Sequence, residues 1–186
     1  MCYSIPLPPK APVAKKEAVM SIRFNINTQK AVEALLWIIQ RGEGNVYNAM
    51  KILFAADKYH LNKHARPVTG DRYVAMRFGT VPIWIYEATK LTKPGIGFLR
   101  SENTLTLDPG RTFDRELFSK SDLDALEHGF NEYSGKSFEA VKRKNHREKA
   151  WVLARKRNSP DILFEDMIKE QWLIDDLRET GHLSLI

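Results

Sequence analysis

Cysteine is nearly absent: the chain of 186 residues has one, Cys2. A lone thiol excludes an internal disulfide and a cysteine-built zinc site, and makes a reducing, cytoplasmic setting the expectation. Long apolar runs are also missing. None approaches the roughly 20 residues that a membrane-spanning helix requires, and residues 1–19, MCYSIPLPPKAPVAKKEAV, lack the apolar block of a secretory signal. Neither G-x-G-x-x-G nor G-x-S-x-G occurs, which removes the usual dinucleotide loop and nucleophile elbow. The phrase GKS at 135–137 is preceded by Gly129 with five residues between, where a phosphate-binding loop requires four, and both flanks are patterned as helix. It reads as a turn between helices with Ser137 as a cap.

What is present is an ordinary globular composition, 43% apolar and 28% charged, long enough to bury one core. The net charge of +6 is unevenly placed. Residues 1–30 carry +4 and residues 31–141 balance to zero. KRKNHREKAWVLARKR, residues 142–157, carries eight basic groups against Glu148, and residues 158–186 carry −5. A nucleic-acid protein presents an uncompensated basic face. Here the acidic C-terminal segment is expected to fold back on the basic one, which disfavours nucleic acid as a partner.

Along the chain, residues 1–19 are rich in Pro and Lys and read as an extended, flexible tail. The domain, 20–186, begins at Met20, itself a candidate translation start that N-terminal sequencing would test. Thr28 is the expected N-cap of TQKAVEALLWIIQ, and Gly42 and Gly44 end that helix. NVYNAMKILFAADKYHLNKHA is a second, largely buried helix whose face holds Val46, Met50, Leu53, Phe54, Asp57 and Leu61; Pro67 stops it. TGDRYVAMRFGTVP reads as a loop with one short extended piece, YVAMRF. IWIYEATKL is a helix broken at Pro94-Gly95, and GFLRSENTLTLDPG is a β-hairpin turning at Glu102-Asn103. Ser119 or Ser121 caps the next helix and Ser137 the one after. REKAWVLARKR and one or two amphipathic helices in DILFEDMIKEQWLIDDLRET complete the chain. The fold expected is mainly α, an α+β arrangement with a small β-hairpin, in a single compact helical domain.

The best metal candidate is Asp57, His60 and His64, spaced to share a helix face. A metal-dependent enzyme built on them is one rival function; a nucleic-acid binder using 142–157 is another. The alternative for Asp57 and His60 is to hydrogen-bond the loop that follows and fix it, with Asp71 capping or pairing with Arg66 or His60. Tyr73 and Tyr86 are expected in the core with hydrogen-bonded hydroxyls, and Trp37, Trp84, Trp151 and Trp172 as packing residues.

The run ILFAADKYHLNKHARPVTGDRYVAMRFGTVPIWIYEATK resembles the signature of the SocA-like antitoxin, or Panacea, domain. That pattern is an apolar helix ending in Asp-x-x-His, then Arg-Pro, Thr-Gly-Asp-x-Tyr-x-Ala, Gly-Pro-Val-Pro and a Tyr in the next helix. Asp57, His60, Arg66, Pro67, Thr69, Gly70, Asp71, Tyr73, Ala75, Gly79, Val81, Pro82 and Tyr86 match it. LFSKSDLDALEHGFNEYSGKSFEAVKRKNHREKAW is similar to the second half, closing on His146 and Trp151. The resemblance covers roughly residues 28–157. It departs at Ala65, where glycine is usual, and at Thr80, where proline is usual.

The resemblance implies an antitoxin of bacteria or their phages, without enzymatic activity or cofactor, that neutralises a protein toxin encoded nearby by direct binding. One member type delivers its toxin to the ClpXP protease, so a proteolytic adaptor role is implied as well. The partner-binding or loop-scaffold residues it implies are Asp57, His60, Arg66, Pro67, Thr69, Gly70, Asp71, Tyr73, Ala75, Gly79, Pro82 and Tyr86. A loop restricted by Pro67, Gly70, Gly79 and Pro82 carries Arg66, Asp71, Arg72, Tyr73, Arg77 and Phe78, and arginine and aromatic side chains held on a preordered loop are the types that most often dominate protein interfaces.

Overall fold

The computed structural model describes residues 20–91, 96–181 and 183–185. The tail 1–19 with Cys2, and the Pro94-Gly95 break, lie outside the described residues. In chain order the elements are β1 (Met20–Ile22), α1 (Thr28–Gln40), α2 (Val46–His64), β2 (Tyr73–Met76), β3 (Gly79–Pro82), α3 (Ile83–Ala88), β4 (Phe98–Ser101) and β5 (Thr104–Leu107). A 3₁₀ turn at Arg115–Leu117 leads into α4 (Lys120–Tyr133), α5 (Phe138–Asn145), α6 (Lys149–Lys156), β6 (Asp161–Ile162), α7 (Phe164–Met167), α8 (Gln171–Glu179) and β7 (Leu183–Leu185). The fold is mainly α with small antiparallel sheets, and among the described residues no helix is long and apolar enough to cross a membrane.

α2 is the axis of the molecule. It is buried along its middle because it serves two cores at once. Met50, Ile52 and Leu53 join residues of α1 and α4 in one; Phe54 and Leu61 join Ile22, Tyr73, Ile162, Phe164 and Leu173 in the other. Each such side chain contributes about 1.5–3 kcal/mol on burial. α4 lies directly against α2, and the contact depends on Gly129: a Cβ there would sit 2.4 Å from the Ile52 carbonyl oxygen. Only glycine lets these two backbones approach so closely.

The helix starts follow from the caps. Asn27, one residue before the expected Thr28, caps α1 by accepting from Lys30 N at 3.0 Å. Asn45 caps α2 and Ser137 caps α5, and Ser119 forms a capping box with Asp122 at the start of α4. Gly135 has positive φ in the turn before Ser137, so GKS is a junction between helices. The hairpin β4–β5 turns at Glu102-Asn103 as its alternation predicts.

Several expectations require correction. Residues 73–82 are not loop with one extended piece: β2 and β3 pair antiparallel, Tyr73 opposite Pro82 and Met76 opposite Gly79, with Arg77-Phe78 as the turn. Residues after Pro160 are not purely helical, because Asp161 and Ile162 add a third strand to β2, giving the order β3-β2-β6. Trp172 and Trp84 are not the packing residues expected; they are 65% and 37% exposed. The charge fold-back is also slight. Among the described residues, Arg157 is the one of the eight basic groups at 142–157 that reaches a C-terminal carboxylate, Asp166; Lys144 pairs with Glu132 and Lys142 stands near Glu139. Glu148 is taken by Lys58 of α2.

Candidate functional site

The loop between α2 and β2 is held from below by one carboxylate. Asp57 is fully buried on α2. Its Oδ1 accepts from Val68 N at 2.9 Å and Thr69 N at 2.8 Å. Its Oδ2 accepts from Thr69 Oγ1 at 2.6 Å and the Tyr73 hydroxyl at 2.9 Å. Burial pushes the Asp57 carboxyl up and the hydrogen bonds from Thr69 and Tyr73 oppose it, leaving it at about 6. Burial, and then the Asp57 charge, push the Tyr73 phenol well above its ordinary value. The loop carbonyl of Thr69 in turn accepts from Asn27 N at 3.0 Å, next to Gly70. Gly70 has φ +73°, and a Cβ there would meet the Asn25 carbonyl oxygen at 2.7 Å.

Asp71 is buried and caps α3, accepting from Trp84 N at 3.1 Å and Ile85 N at 3.0 Å. It does not pair with Arg66 or His60. Arg66 reaches Asp122 instead, at 3.1 Å. Asp122 is a hub: it also accepts from Lys30 Nζ at 2.6 Å and from the Ser119 hydroxyl at 2.8 Å, tying α1, α4 and the loop together. Burial alone would raise the Asp122 carboxyl, but hydrogen bonds from Lys30 and Ser119 and the Lys30 charge outweigh it and hold it at about 2.

His60 is buried between these groups. Its Nδ1 lies 2.7 Å from the Arg66 carbonyl, which can only accept, so Nδ1 carries the proton. Nε2 is left to accept from Ser121 Oγ at 3.0 Å. Burial lowers the His60 pKa and favours the neutral ring. The Asp122 carboxylate stands 3.3 Å from the same Nε2. A serine–histidine–carboxylate relay needs the acid on the opposite nitrogen, so this is an anchor for the loop.

Of the two readings of Asp57 and His60, the hydrogen bonds fit the loop anchor. Asp57 and both nitrogens of His60 are engaged by loop and helix groups, and His64 is exposed, its ring tilted at 38° to that of His60 with centroids 4.5 Å apart. Among the described residues no three such side chains converge on one point.

Above this anchored loop lies an open cleft of about 1350 Å³, walled by residues 21–27, the loop itself, the start of α3 and the β6–α7 turn. Thr69, Gly70, Asp71 and Tyr73 are buried in its floor, as are Pro67 and Ala75 nearby. Among the side chains it exposes are Arg23, Asn25, Arg66, Arg72, Glu87, Asp161 and, at 37%, Trp84. Tyr86 is half-buried beneath Lys90, 4.4 Å from its ring, and its hydroxyl makes no hydrogen bond among the described residues, contrary to expectation.

The other end of the β2–β3 hairpin is fastened just as firmly. The carbonyls of Met76, Arg77 and Phe78 accept in succession from Trp151 Nε1 (3.0 Å), His146 Nε2 (3.1 Å) and the Tyr47 hydroxyl (2.8 Å). Asn145 accepts from Thr80 N at 2.6 Å, and buried Lys51 donates to the Thr80 carbonyl at 2.6 Å. Gly79, at φ +115°, is required here: a Cβ would overlap the Asn145 carboxamide oxygen at 2.2 Å.

The family model described as antitoxin SocA-like, Panacea domain matches residues 50–152, from α2 to the start of α6. The chain belongs to this family. Comparison with curated proteins and with solved structures gives no match. Membership supports a toxin–antitoxin role. It also gives meaning to two departures from the Panacea pattern. Ala65, where glycine is usual, is the C-cap of α2 and sits in the left-handed region at φ 56°. Thr80, where proline is usual, uses an N–H and a hydroxyl that proline lacks, both bonded to Asn145. The Panacea residues His146 and Trp151 are the side chains that clamp the hairpin tip.

Several residues of this construction were not singled out from sequence. Lys51 stands inside the apolar run AMKILFAA, a signal for a buried amine. Asp122 stands in sequence as one more carboxylate near a helix start, with nothing local to mark it as the hub. Asn145 and Tyr47 gave no signal, since their roles depend on contacts distant in sequence.

Proposed function

We propose that the protein is an antitoxin that neutralises a partner toxin by direct binding, using the cleft above the loop 66–73, and that it performs no chemistry of its own. The observation that carries this reading is the arrangement of the Panacea signature. Its buried members, Asp57, His60, Thr69, Asp71 and Tyr73, immobilise a backbone that exposes Arg72 beside Arg23 and Trp84. Arginine and tryptophan on a preordered surface are the residues best suited to anchor a protein partner, because little conformational entropy is lost on docking. The buried pattern residues thus act as scaffold, and contact falls to the exposed side chains around them.

The test is co-expression with the toxin encoded beside the gene. Arg72→Glu with Trp84→Ala is the variant of choice, since both side chains are exposed and Asp71 or Tyr73 substitutions would damage the fold. Rescue is expected to fail while the urea midpoint stays unchanged. Full rescue by the folded double variant refutes the cleft as the interface. Measuring toxin level with and without ClpXP separates covering of the toxin from delivery to the protease: neutralisation by covering leaves the amount of toxin unaffected.

A further inference from the structure

The hairpin tip carries a second exposed surface, apart from the cleft. Met76, Phe78 and Phe138 are 40%, 41% and 42% exposed. Phe78 stands edge-on to Phe138 at 5.3 Å, and Tyr47 packs on Phe138 at 4.8 Å. Cations surround this apolar centre: Arg77 lies 5.2 Å from the Phe78 ring, Lys142 within 5.8 Å of both phenylalanines, and Arg155 5.9 Å from Trp151. Glu139, 3.9 Å from Lys142, is the one carboxylate paired with these cations among the described residues. Beyond them Arg143, Arg147, Lys149 and Lys156 have no carboxylate partner among the described residues. The three clamped carbonyls at the turn prevent the tip from rolling its apolar side chains inward.

We propose that this patch docks an acidic segment of a partner protein. Its carboxylates meet Arg77, Lys142 and Arg155, and one or two aliphatic or aromatic side chains cover Met76, Phe78 and Phe138. The charge selects the occupant: a surface with this cationic excess attracts acidic polypeptide and steers its approach. The chain's own residues 1–19 have the wrong sign, with Lys10, Lys15 and Lys16 against Glu17. Single-stranded nucleic acid has the right sign but needs open ring faces on which bases stack. Here the rings already have partners: Phe138 lies tilted against Tyr47 with Lys142 over it, Phe78 has Arg77 and Lys142 over its ring, and one face of Trp151 lies flat on His146 at 4.1 Å and 11°. The proposal does not depend on the cleft.

The experiment uses the full chain and three fluorescein-labelled probes of about 15 units. These are a peptide alternating Glu and Asp with Phe and Leu, the same peptide with Ser at every acid, and oligodeoxythymidylate. Anisotropy titrations at low and moderate salt are expected to show the acidic peptide binding at least about tenfold tighter than the neutral one, and weakening as salt rises. Arg77→Glu with Lys142→Glu is expected to lose that preference, and Phe78→Ser to weaken binding with the charge intact. The cleft variant Arg72→Glu/Trp84→Ala is expected to bind the peptide normally, so this result and the toxin-rescue result fail separately. Equal binding of the two peptides, an unaffected Arg77→Glu/Lys142→Glu variant, or tighter binding of the oligonucleotide would each overturn the proposal, the last by making the patch a nucleic-acid surface.

Discussion

Lys51 offers a direct measurement of how tightly the hairpin is seated. Its side chain is 1% exposed, its ammonium donates to the Thr80 carbonyl, and the Tyr47 ring lies 4.6 Å away. Burial lowers its pKa from 10.5 to about 7. Between those values the unfolded chain holds a proton that the folded chain has lost, so stability must rise with pH across this window. Below pH 7 both states are protonated and the penalty is constant and at its largest. At about 1.4 kcal/mol per pH unit the full penalty is about 5 kcal/mol, and about 2 kcal/mol of it is relieved between pH 7 and 9. Replacing Lys51 by Met keeps an unbranched stem and removes the titration. Loss of the bond to Thr80 shifts the variant by an amount independent of pH, so the slope is the readout. Urea unfolding at intervals from pH 6 to 9 should show the wild type gaining on Lys51→Met by about 2 kcal/mol above neutrality. Parallel profiles would refute the reasoning and mean that water reaches the amine through an opening tip.

Two further outcomes follow from the loop and its helix. Ala65→Gly relieves a left-handed alanine and should stabilise by up to about 1 kcal/mol, raising Tm by about 2–4 °C in a calorimetric scan; an unchanged or lower Tm would place the strain elsewhere. Asp57→Ala leaves the amides of Val68 and Thr69 and two hydroxyls without their buried acceptor, and should cost at least about 3 kcal/mol in urea unfolding, with cleft-loop amides losing exchange protection before α4 does.

The helices were legible because their signals are local. Asn45, Ser119 and Ser137 each precede an apolar periodicity, and a cap bonds only two or three residues ahead. The hairpin at 73–82 was hidden for the opposite reason. VAMRFGTV shows little alternation, since both faces of this ribbon are covered, one by α2 and the other by the C-terminal elements. The strand at Asp161–Ile162 exists only because β2 offers it an edge. At the site, Asp57 and His60 were readable as loop anchors from their spacing before Arg66-Pro67. Their exact partners, Thr69, Tyr73 and Ser121, were not, and Asp71 turned out to serve α3. The residues left facing solvent, Arg72 and Trp84, could be told from their buried neighbours only in three dimensions.

The β2–β3 ribbon has its base in the cleft wall and its tip in the cationic aromatic patch. Four residues of strand at about 3.4 Å each set the two surfaces about 10–13 Å apart. Because both ends are fastened, that separation is a fixed ruler. A single partner with two recognition elements spaced to match would bind with an avidity far above either alone, since seating the first holds the second at millimolar effective concentration. A partner carrying the same elements at another spacing would gain only one, so distance itself becomes a criterion of selection.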